Sequence, residues 1–339
     1  MSKSSVTRRS LVKGMALGAA GAVLAPSVIA RAQTTLRINA GMLPILNGPV
    51  YIALREKYFE KLGLDVNLIK FTSGPSQFAA LAGGQSHLGW GGMGAYLIAK
   101  ANGQDLQSIA VFMDYNKLQA LVVPKNSPIK SVKDLQGKKI AAVQGSDAHY
   151  GLWKLLQNNG MAKDAAQLVG MTPTQQIAAF NAGDVDGVYT WEPFVTPMLK
   201  AGGREITRMS DLDPGPSFLN WAGRKQWLEQ NPEAIVRLLE GWNQGLAKMK
   251  QDPEMAIRYT LDFTGMAREQ ADAIIKDLGH FEATAALDPK SPAYWAKGSK
   301  LHTVLVDFLK FGNEFGLAKQ VINIDDYLMT QFMEKVKKG

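Results

Sequence analysis

A Gly-Ser pair at the start of a predicted helix is the first candidate for chemistry in this chain. The apolar run Ile140–Val143 ends at a Gln-Gly pair, and a helical pattern begins directly after Ser146. Backbone N–H groups at a helix start lack partners and lie at the positive end of the dipole, so they can bind an anion without lysine or arginine. His149, in the first turn, could donate to the same anion. Two alternatives stay open. In the first, Ser146 only caps the helix and the Asp147 carboxylate already compensates the helix dipole. In the second, His149 is half-buried.

A second group of polar and aromatic residues follows another predicted strand, Val185–Thr190. Thr190 ends that strand, and Trp191 and Glu192 come directly after it, at the edge where ligands bind in α/β sheets. The Glu192 carboxylate could hold a ligand cation or hydrogen-bond donor, and the Trp191 ring could stack on an apolar part. The alternative is a carboxylate at the rim of the site and a tryptophan in the core.

The segment Gly89–Gly94 matches the G-x-G-x-x-G pattern of dinucleotide-binding proteins, with Asp114 further along the chain. The preceding predicted strand, His87–Trp90, is short, whereas this pattern normally follows a longer buried strand at the start of a lobe. Three functions stay open for the segment. They are a nucleotide site in an exported NAD(P)-dependent oxidoreductase, a glycine-lined ligand loop, and tight packing.

The residue types that most metal and nucleophile chemistry requires are absent or badly spaced. The sequence has no cysteine, which excludes thiol catalysis and suits an exported protein without disulfides. Its four histidines show no metal-ligand spacing, and no HExxH motif or P-loop is present. No serine occupies a G-x-S-x-G turn, so nucleophilic hydrolysis has no support. We expect no metal, no cofactor and no enzymatic activity.

Most of the net positive charge of this 339-residue chain lies in its first 32 residues. The formal net charge is +8, and residues 1–32 contain five basic residues and no acid, which leaves 8 − 5 = +3 for the rest. This small remaining charge argues against nucleic acid as a partner, and we expect none. Arg8 and Arg9 precede a weakly apolar run and the small-residue site Ala30–Ala32. This pattern predicts a twin-arginine export signal and a periplasmic location.

The same order of elements occurs twice in the mature chain. Strand–helix–strand–helix–strand patterns begin at Leu36 and at Ile140, and at an offset of 99 residues Gln77–Leu81 lies over Gln176–Phe180. This order predicts two α/β lobes with mostly parallel sheets, whose ligand binds beyond the carboxyl ends of the strands. The loops at those ends are Gly41–Gly48, Thr72–Pro75, Gly91–Gly94, Gly145–Ala148, Thr172–Gln175 and Thr190–Pro193.

From Asn231 onward the pattern changes to helices. Asn231 and Asp252 each precede a proline, as helix-capping residues do, and later helices are predicted over Pro292–Phe315 and Ile324–Val336. We expect this tail to pack on the first lobe. The domain plan is a leader at 1–32, the first part of lobe 1 at 33–120, lobe 2 at 121–220, and a return to lobe 1 with the C-terminal helices at 221–339. The predicted lobe crossings are 119–124 and 217–222.

Several motifs resemble the sulfonate/taurine/nitrate-type solute-binding proteins of ABC importers, a family that includes binders of thiamine-pyrimidine precursors. They are the export leader, the GSDAHY loop, VVPKNSPIKSVKDLQGKKIA (Val122–Ala141), FNAGDVDGVYTWEPF (Phe180–Phe194) and NPEAIVRLLEGW (Asn231–Trp242). The resemblance implies the type II periplasmic binding protein fold, with two doubly wound lobes, a two-strand hinge and a helical tail on lobe 1. It also implies a monomer that carries a small organic anion to a membrane ABC permease.

With the cleft loops, this resemblance defines the residues that we expect to contact the ligand. The anionic group would bind at the Gly-Ser turn, and the other residues would line the remainder of the cleft. The expected set is Leu46, Asn47, Gln77, Trp90, Gly92, Met93, Asp114, Ser146, Asp147, His149, Thr190, Trp191, Glu192 and Trp221. A pyrimidine or aromatic acid as ligand, and a ligand sensor acting with a membrane receptor, are alternatives.

The chain differs from the sulfonate branch of this family at two positions. Members of that branch often carry a carboxylate after the third strand, where this sequence reads Gly91-Gly92-Met93. They often have asparagine after the Gly-Ser pair, where this sequence has Asp147. A carboxylate in the first turn of the helix partly cancels the field that attracts an anion.

Overall fold

The computed structural model describes residues 35–44, 47–212 and 217–338. The predicted leader, residues 1–32, and the predicted ligand contact Leu46 lie outside these residues. Within the described part of the chain, no helix combines the length and the apolar character needed to cross a membrane.

The strands of the described chain form two sheets. In chain order they are β1 (Leu36–Met42), β2 (Leu64–Lys70), β3 (Leu88–Gly92), β4 (Leu106–Asp114), β5 (Gln119–Val123), β6 (Lys139–Ala142), β7 (Gln167–Gly170), β8 (Gly187–Trp191), β9 (Arg204–Arg208), β10 (Phe218–Arg224) and β11 (Gly279–His280).

Helices connect these strands and make up most of the C-terminal part. They are α1 (Gly48–Arg55), α2 (Tyr58–Lys61), α3 (Gly74–Ala82), α4 (Met93–Ala101), α5 (Asp147–Asn158), α6 (Pro173–Ala182), α7 (Val195–Lys200), α8 (Lys225–Gln230), α9 (Pro232–Gln251), α10 (Pro253–Thr264), α11 (Arg268–Ile275), α12 (Lys300–Glu314) and α13 (Gln331–Lys338).

The first sheet has the strand order β11-β4-β10-β3-β1-β2. β1 pairs in parallel with both β2 and β3, as strands joined by crossover helices do. β10, from much later in the chain, runs antiparallel between β3 and β4. Because β1, β2 and β3 end at one edge, the helices that follow them, α1, α3 and α4, all begin there.

The second sheet repeats this plan, with the order β7-β6-β8-β5-β9. β6 pairs in parallel with β7 and β8, and β5 runs antiparallel between β8 and β9. The helix that follows β6 is α5, which occupies the place that α1 has in the first sheet. The predicted pair of α/β lobes, with the same order of elements in each, is confirmed.

The chain crosses from one sheet to the other in the segments between strands, and no described strand belongs to both sheets. All of β5 belongs to the second sheet and all of β10 to the first. The domain boundaries proposed at 120/121 and 220/221 therefore fall inside strands. The first crossing lies at residues 115–118, a short 3-10 turn after β4, and the second lies between β9 and β10.

The C-terminal helices pack mainly on the first lobe. α9 and α10 pack on α1, and α12 packs on α4. Helix α10 begins as predicted, because the Asp252 side chain accepts from the Met255 N–H at 3.1 Å. Helix α9 also begins at its proline, although the Asn231 amide donates to the Trp227 carbonyl (2.8 Å) instead of capping α9.

Two predicted helix starts in the tail are wrong. α12 begins at Lys300 rather than Pro292, because the Ser299 hydroxyl caps it by accepting from the His302 N–H at 3.2 Å. α13 begins at Gln331, and the predicted start at Ile324 is only a 3-10 turn capped by Asn323. A local cap, which the apolar pattern does not show, sets the start of α12.

Candidate functional site

A small cavity lies where elements of the two lobes meet. It is small, with room for about one water molecule. The starts of three helices, α3, α4 and α5, lie at its wall. The lining residues are Leu43, Gly74, Pro75, Gly92, Ala95, Tyr115, Ser146, Asp147, Trp191 and Leu219.

Ser146 lies at the cavity and caps helix α5. Its hydroxyl oxygen accepts from the Ala148 N–H at 3.2 Å and donates to the Val143 carbonyl at 2.7 Å. The capping function anticipated as an alternative is therefore present. It does not compete with a ligand-binding function, because a capped helix start still presents its remaining N–H groups and the positive end of the dipole.

The Asp147 carboxylate reaches from helix α5 of the second lobe to the start of α4 in the first. Its Oδ1 accepts from the Gly94 N–H and from the Ser217 hydroxyl, each at 3.3 Å, and the Tyr115 hydroxyl donates to the same carboxylate. The residue is 3% exposed. Burial raises the pKa of Asp147 to about 6, against the lowering effect of these donors.

Gly92 provides the space for this carboxylate. A Cβ at Gly92 would lie 1.6 Å from Asp147 Oδ2 and 2.7 Å from the Tyr115 hydroxyl oxygen. No side chain fits at position 92 while Asp147 holds this position. The two positions at which the chain differs from the sulfonate branch are therefore in direct contact across the cleft.

The residues at the end of β8 and directly after it take different positions. Trp191 is 5% exposed and lines the cavity, with its ring edge on Phe194 at 6.4 Å between centroids. Glu192 does not line it: its Oε1 accepts from the Thr196 hydroxyl at 2.8 Å and its Oε2 from the Thr196 N–H at 3.1 Å. Thr190 is buried and its hydroxyl has no partner. Burial raises the pKa of Glu192, and the bonds from Thr196 act against this shift.

His149 does not line the cavity that Ser146 and Asp147 share. Its Nδ1 accepts from the Gly145 N–H at 3.3 Å, and its ring lies edge-on to Phe311 and Phe315, each at 4.8 Å between centroids. Burial lowers the pKa of His149 to about 4, so the imidazole is neutral at pH 7. His149 is 2% exposed, so it is more deeply buried than the half-buried position expected as the alternative. It lines a separate groove beside α5.

Trp90 and Trp221 belong to the core of the first lobe. They are opposite each other on β3 and β10, and their rings meet edge to face at 4.7 Å between centroids. The Trp221 ring also lies 5.9 Å from that of Phe112. Neither tryptophan lines the cavity, so the packing alternative describes them better than ligand contact.

The other predicted contacts lie around the cavity without lining it. Met93 is fully buried at the start of α4. Asp114 accepts from the Asn116 N–H at 3.0 Å, in a turn after β4, and burial raises its pKa. Gln77 donates to the Gly41 carbonyl at 3.3 Å, and Asn47 precedes α1. Both side-chain polar atoms of Asn47 are buried and have no hydrogen-bond partner.

The glycines of Gly89–Gly94 are positions of close packing. A Cβ at Gly89 would lie 2.5 Å from the Gln77 amide nitrogen, and one at Gly94 would lie 2.0 Å from a ring carbon of Phe308. Protein side chains thus fill the space that a pyrophosphate needs in a dinucleotide site. The segment packs tightly, and its Gly92 also lines the cavity.

Sequence reasoning missed Tyr115, Leu219 and Ser217. Tyr115 follows the end of β4 directly, so the rule that placed Trp191 after the predicted strand Val185–Thr190 could have identified it. Leu219 and Ser217 lie in the predicted crossing 217–222, and the sequence carries no local signal that singles them out as site residues. Among the described residues, no cluster of histidine and acidic side chains could hold a metal ion.

Comparison with known proteins identifies the family and the fold of this chain. The model of the family described as NMT1/THI5 like matches residues 47–256. The taurine-binding periplasmic protein of Escherichia coli is 28% identical over 293 residues, which cover 84% of this chain and 89% of that protein.

Two solved structures share the fold. The periplasmic aliphatic sulphonate binding protein SsuA of Escherichia coli has a TM-score of 0.72 and 23% identity, covering 87% of this chain and 92% of that one. The alkanesulfonate-binding protein SsuA of Xanthomonas axonopodis pv. citri, bound to MOPS, has a TM-score of 0.74 and 19% identity, covering 88% and 99%. These likenesses confirm the predicted periplasmic-binding-protein fold, and the matched family model shows that the chain belongs to the NMT1/THI5-like family.

Proposed function

We propose that this protein is the solute-binding component of an ABC importer and binds a small organic anion between its lobes. The observation that carries the proposal is the cavity itself, because elements of both sheets line it where three helices begin. A solute at this place touches both lobes at once. It therefore stabilises the closed arrangement by its differential affinity for that state.

The backbone supplies the attraction for the anion. Among the described residues that line the cavity, none is lysine, arginine or histidine. The start of α5 offers N–H groups beside Ser146, and the starts of α3 and α4 lie opposite it. A sulfonate or carboxylate suits such donors. The taurine-binding relative supports a sulfonate as the first choice.

The apolar part of the solute would lie against Trp191 and Leu219. Tyr115 and Trp191 also make an aromatic acid or a pyrimidine a specific second candidate, since both rings line the cavity. Gly92, Ser146, Asp147 and Trp191 are the predicted contacts that line the cavity, and we retain them as the proposed ligand contacts. Asn47 and Thr190, with unpartnered polar atoms, are proposed to join them when a solute enters.

A thermal-shift screen followed by calorimetry tests this function. The panel contains ethanesulfonate, taurine, nitrate, benzoate, a pyrimidine and NAD(P), each at millimolar concentration. We expect a sulfonate or another small acid to raise the melting temperature, because a ligand that binds only the folded state stabilises it. Stabilisation by NAD(P) alone would favour the oxidoreductase alternative, and no stabilisation by any acid would contradict the proposal.

Export by the twin-arginine route and delivery to a permease complete the proposed function. The paired Arg8 and Arg9 support the route, and the periplasmic relatives support the location. Replacement of both arginines by lysine should leave the protein in the cytoplasm, as cell fractionation would show. Elution as a monomer during size-exclusion chromatography would agree with the proposed oligomeric state.

A further inference from the structure

Asp147 occupies the place in the cavity that suits an anion. Its carboxylate accepts the Gly94 N–H in the first turn of α4, together with the hydroxyls of Ser217 and Tyr115. A helix start with an exposed N–H and two hydroxyl donors is the arrangement that an anionic ligand would need. In the structure, the chain's own side chain uses those donors.

The fit of Asp147 to this position is close. Gly92 leaves the space in which Oδ2 lies, since a Cβ there would be 1.6 Å from that oxygen. The cavity beside it has room for about one water molecule. A solute's acid group and the ionised Asp147 therefore cannot both use the start of α4.

We propose that Asp147 is a specificity-determining residue that acts as a built-in competitor for the acid group of the solute. An anionic solute binds after it takes the donors at the start of α4 from Asp147, whose carboxyl group then becomes protonated from the solvent. The inference rests on the proposed function, because it concerns the same cavity. It adds that binding of a simple anion takes up one proton from the solvent when the pH is above the pKa of Asp147.

The groups around Asp147 leave it as the titrating group of the cavity. Its own helix contributes Tyr150, the crossing between the sheets contributes Tyr115, and the segment before α13 contributes Tyr327. Burial, together with the charge of Asp147, raises the pKa of all three phenols, which stay neutral between pH 5 and 9. The shift in the pKa of Asp147 itself arises from burial, against hydrogen bonds from Tyr115, Gly94 and Ser217.

The pH dependence follows from these protonation states. In the empty protein the pKa of Asp147 is about 6, and a bound anion raises it further because two negative charges repel each other at short range. Above pH 6 the dissociation constant for an anion should therefore rise up to about tenfold per pH unit, and below pH 6 it should level off.

The test uses ethanesulfonate, whose own charge does not change between pH 5 and 9. Calorimetry at pH 5, 6, 7 and 8 is carried out on the wild-type protein, on Asp147→Asn and on the control Asp65→Asn. Asp65 is an exposed carboxylate of β2 that pairs with Arg37 at 3.6 Å, so its replacement changes the net charge equally. Buffers with different ionisation enthalpies measure the protons taken up on binding.

We expect affinity for the wild type to fall by up to about 100-fold between pH 6 and pH 8, with uptake of about one proton at pH 8. Asp147→Asn should bind ethanesulfonate with little pH dependence and more tightly than the wild type at pH 8. Asp65→Asn should behave as the wild type does. The wild-type pH profile and proton uptake remain decisive even if Asp147→Asn fails to fold.

Two outcomes would overturn the inference. A wild-type affinity that is constant from pH 5 to pH 8 would show that Asp147 does not compete, and the proposed function would stand. Failure of ethanesulfonate to bind at pH 5, where Asp147 is protonated, would overturn it as well. In that case the proposed function falls only if every acid of the screening panel also fails to bind.

Discussion

Lys154 and Asp307 form a buried ion pair that joins the second lobe to the C-terminal helices. Lys154 Nζ lies 2.6 Å from Asp307 Oδ2, and their side chains are 9% and 14% exposed. The Tyr150 hydroxyl donates to the same oxygen at 2.9 Å. Helix α5 carries both Lys154 and the start of the candidate site, so this pair links the closure of the lobes to the position of Ser146 and Asp147.

Replacement of Asp307 by asparagine should destabilise the protein by about 3–5 kcal/mol, because it leaves the Lys154 ammonium group buried without its partner. Denaturant unfolding measures this loss. The control is Glu254→Gln, which breaks the pair of Glu254 with Arg268, whose side chains are 54% and 50% exposed. That change should cost no more than about 1 kcal/mol, and equal losses in the two variants would contradict the expectation.

Replacement of Ser146 by alanine should have two separable effects. Loss of the cap should cost about 1 kcal/mol of stability. Loss of a buried hydroxyl from the cavity should also weaken solute binding by about 1–3 kcal/mol. Ser299→Ala is the matched control, because Ser299 caps α12 in the same way and is not among the residues that line the cavity.

Unfolding in denaturant and calorimetry distinguish these effects. Both serine variants should lose similar stability, and only Ser146→Ala should lose affinity. If the two variants bind the solute equally well, Ser146 acts as a helix cap alone, and the site must lie elsewhere in the cleft.

The stability of the protein should depend on the ionisation of Asp147. The pKa of this carboxyl is raised from 3.8 to about 6 by burial, so the folded protein holds the proton more tightly than the unfolded chain does. Ionisation of Asp147 therefore does not lower the free energy of unfolding below pH 3.8. Above pH 6 it lowers that free energy by the full amount, about 3 kcal/mol. Relative to the wild type, Asp147→Asn should gain up to this amount in its free energy of unfolding between pH 4 and pH 7.

Urea unfolding of both proteins at several pH values checks this gain. The comparison across pH cancels the part of the substitution that does not titrate, such as altered hydrogen bonding to Ser217. A stability difference that stays constant from pH 4 to pH 7 would show that Asp147 titrates outside this range.

Solute binding should change the fluorescence of Trp191. This residue lines the cavity, whereas Trp90, Trp221 and Trp242 are buried in the first lobe. The binding signal should disappear in Trp191→Phe and persist in Trp242→Phe. Persistence of the full signal in Trp191→Phe would place the responding tryptophan elsewhere.

The sequence was sufficient to predict the two lobes, because each repeats the same order of strands and helices with clear apolar periods. It also predicted the helix start at Ser146, since a Gly-Ser pair between a strand and a helix is a local signal. The contact of Asp147 with Gly92 could not be predicted. The two residues belong to different lobes, and only the closed arrangement of the lobes brings them together.

Burial accounts for the other differences between sequence and structure. Trp90, Trp221 and His149 have side chains that suit either a ligand or a core, and only the tertiary packing decides between these uses. Glu192 had the expected position after β8, but the nearby Thr196 takes both of its oxygens. A sequence does not reveal local hydrogen bonds of this kind, because no periodic pattern of apolar residues accompanies them.

The small size of the cavity has a kinetic consequence. A space for about one water molecule excludes every solute of the classes considered, so capture must wait until the lobes separate. Association should then be slower than diffusion allows, and its rate at high solute concentration should approach a plateau set by the opening motion. That plateau would be the same for solutes of different size, because it belongs to the protein alone.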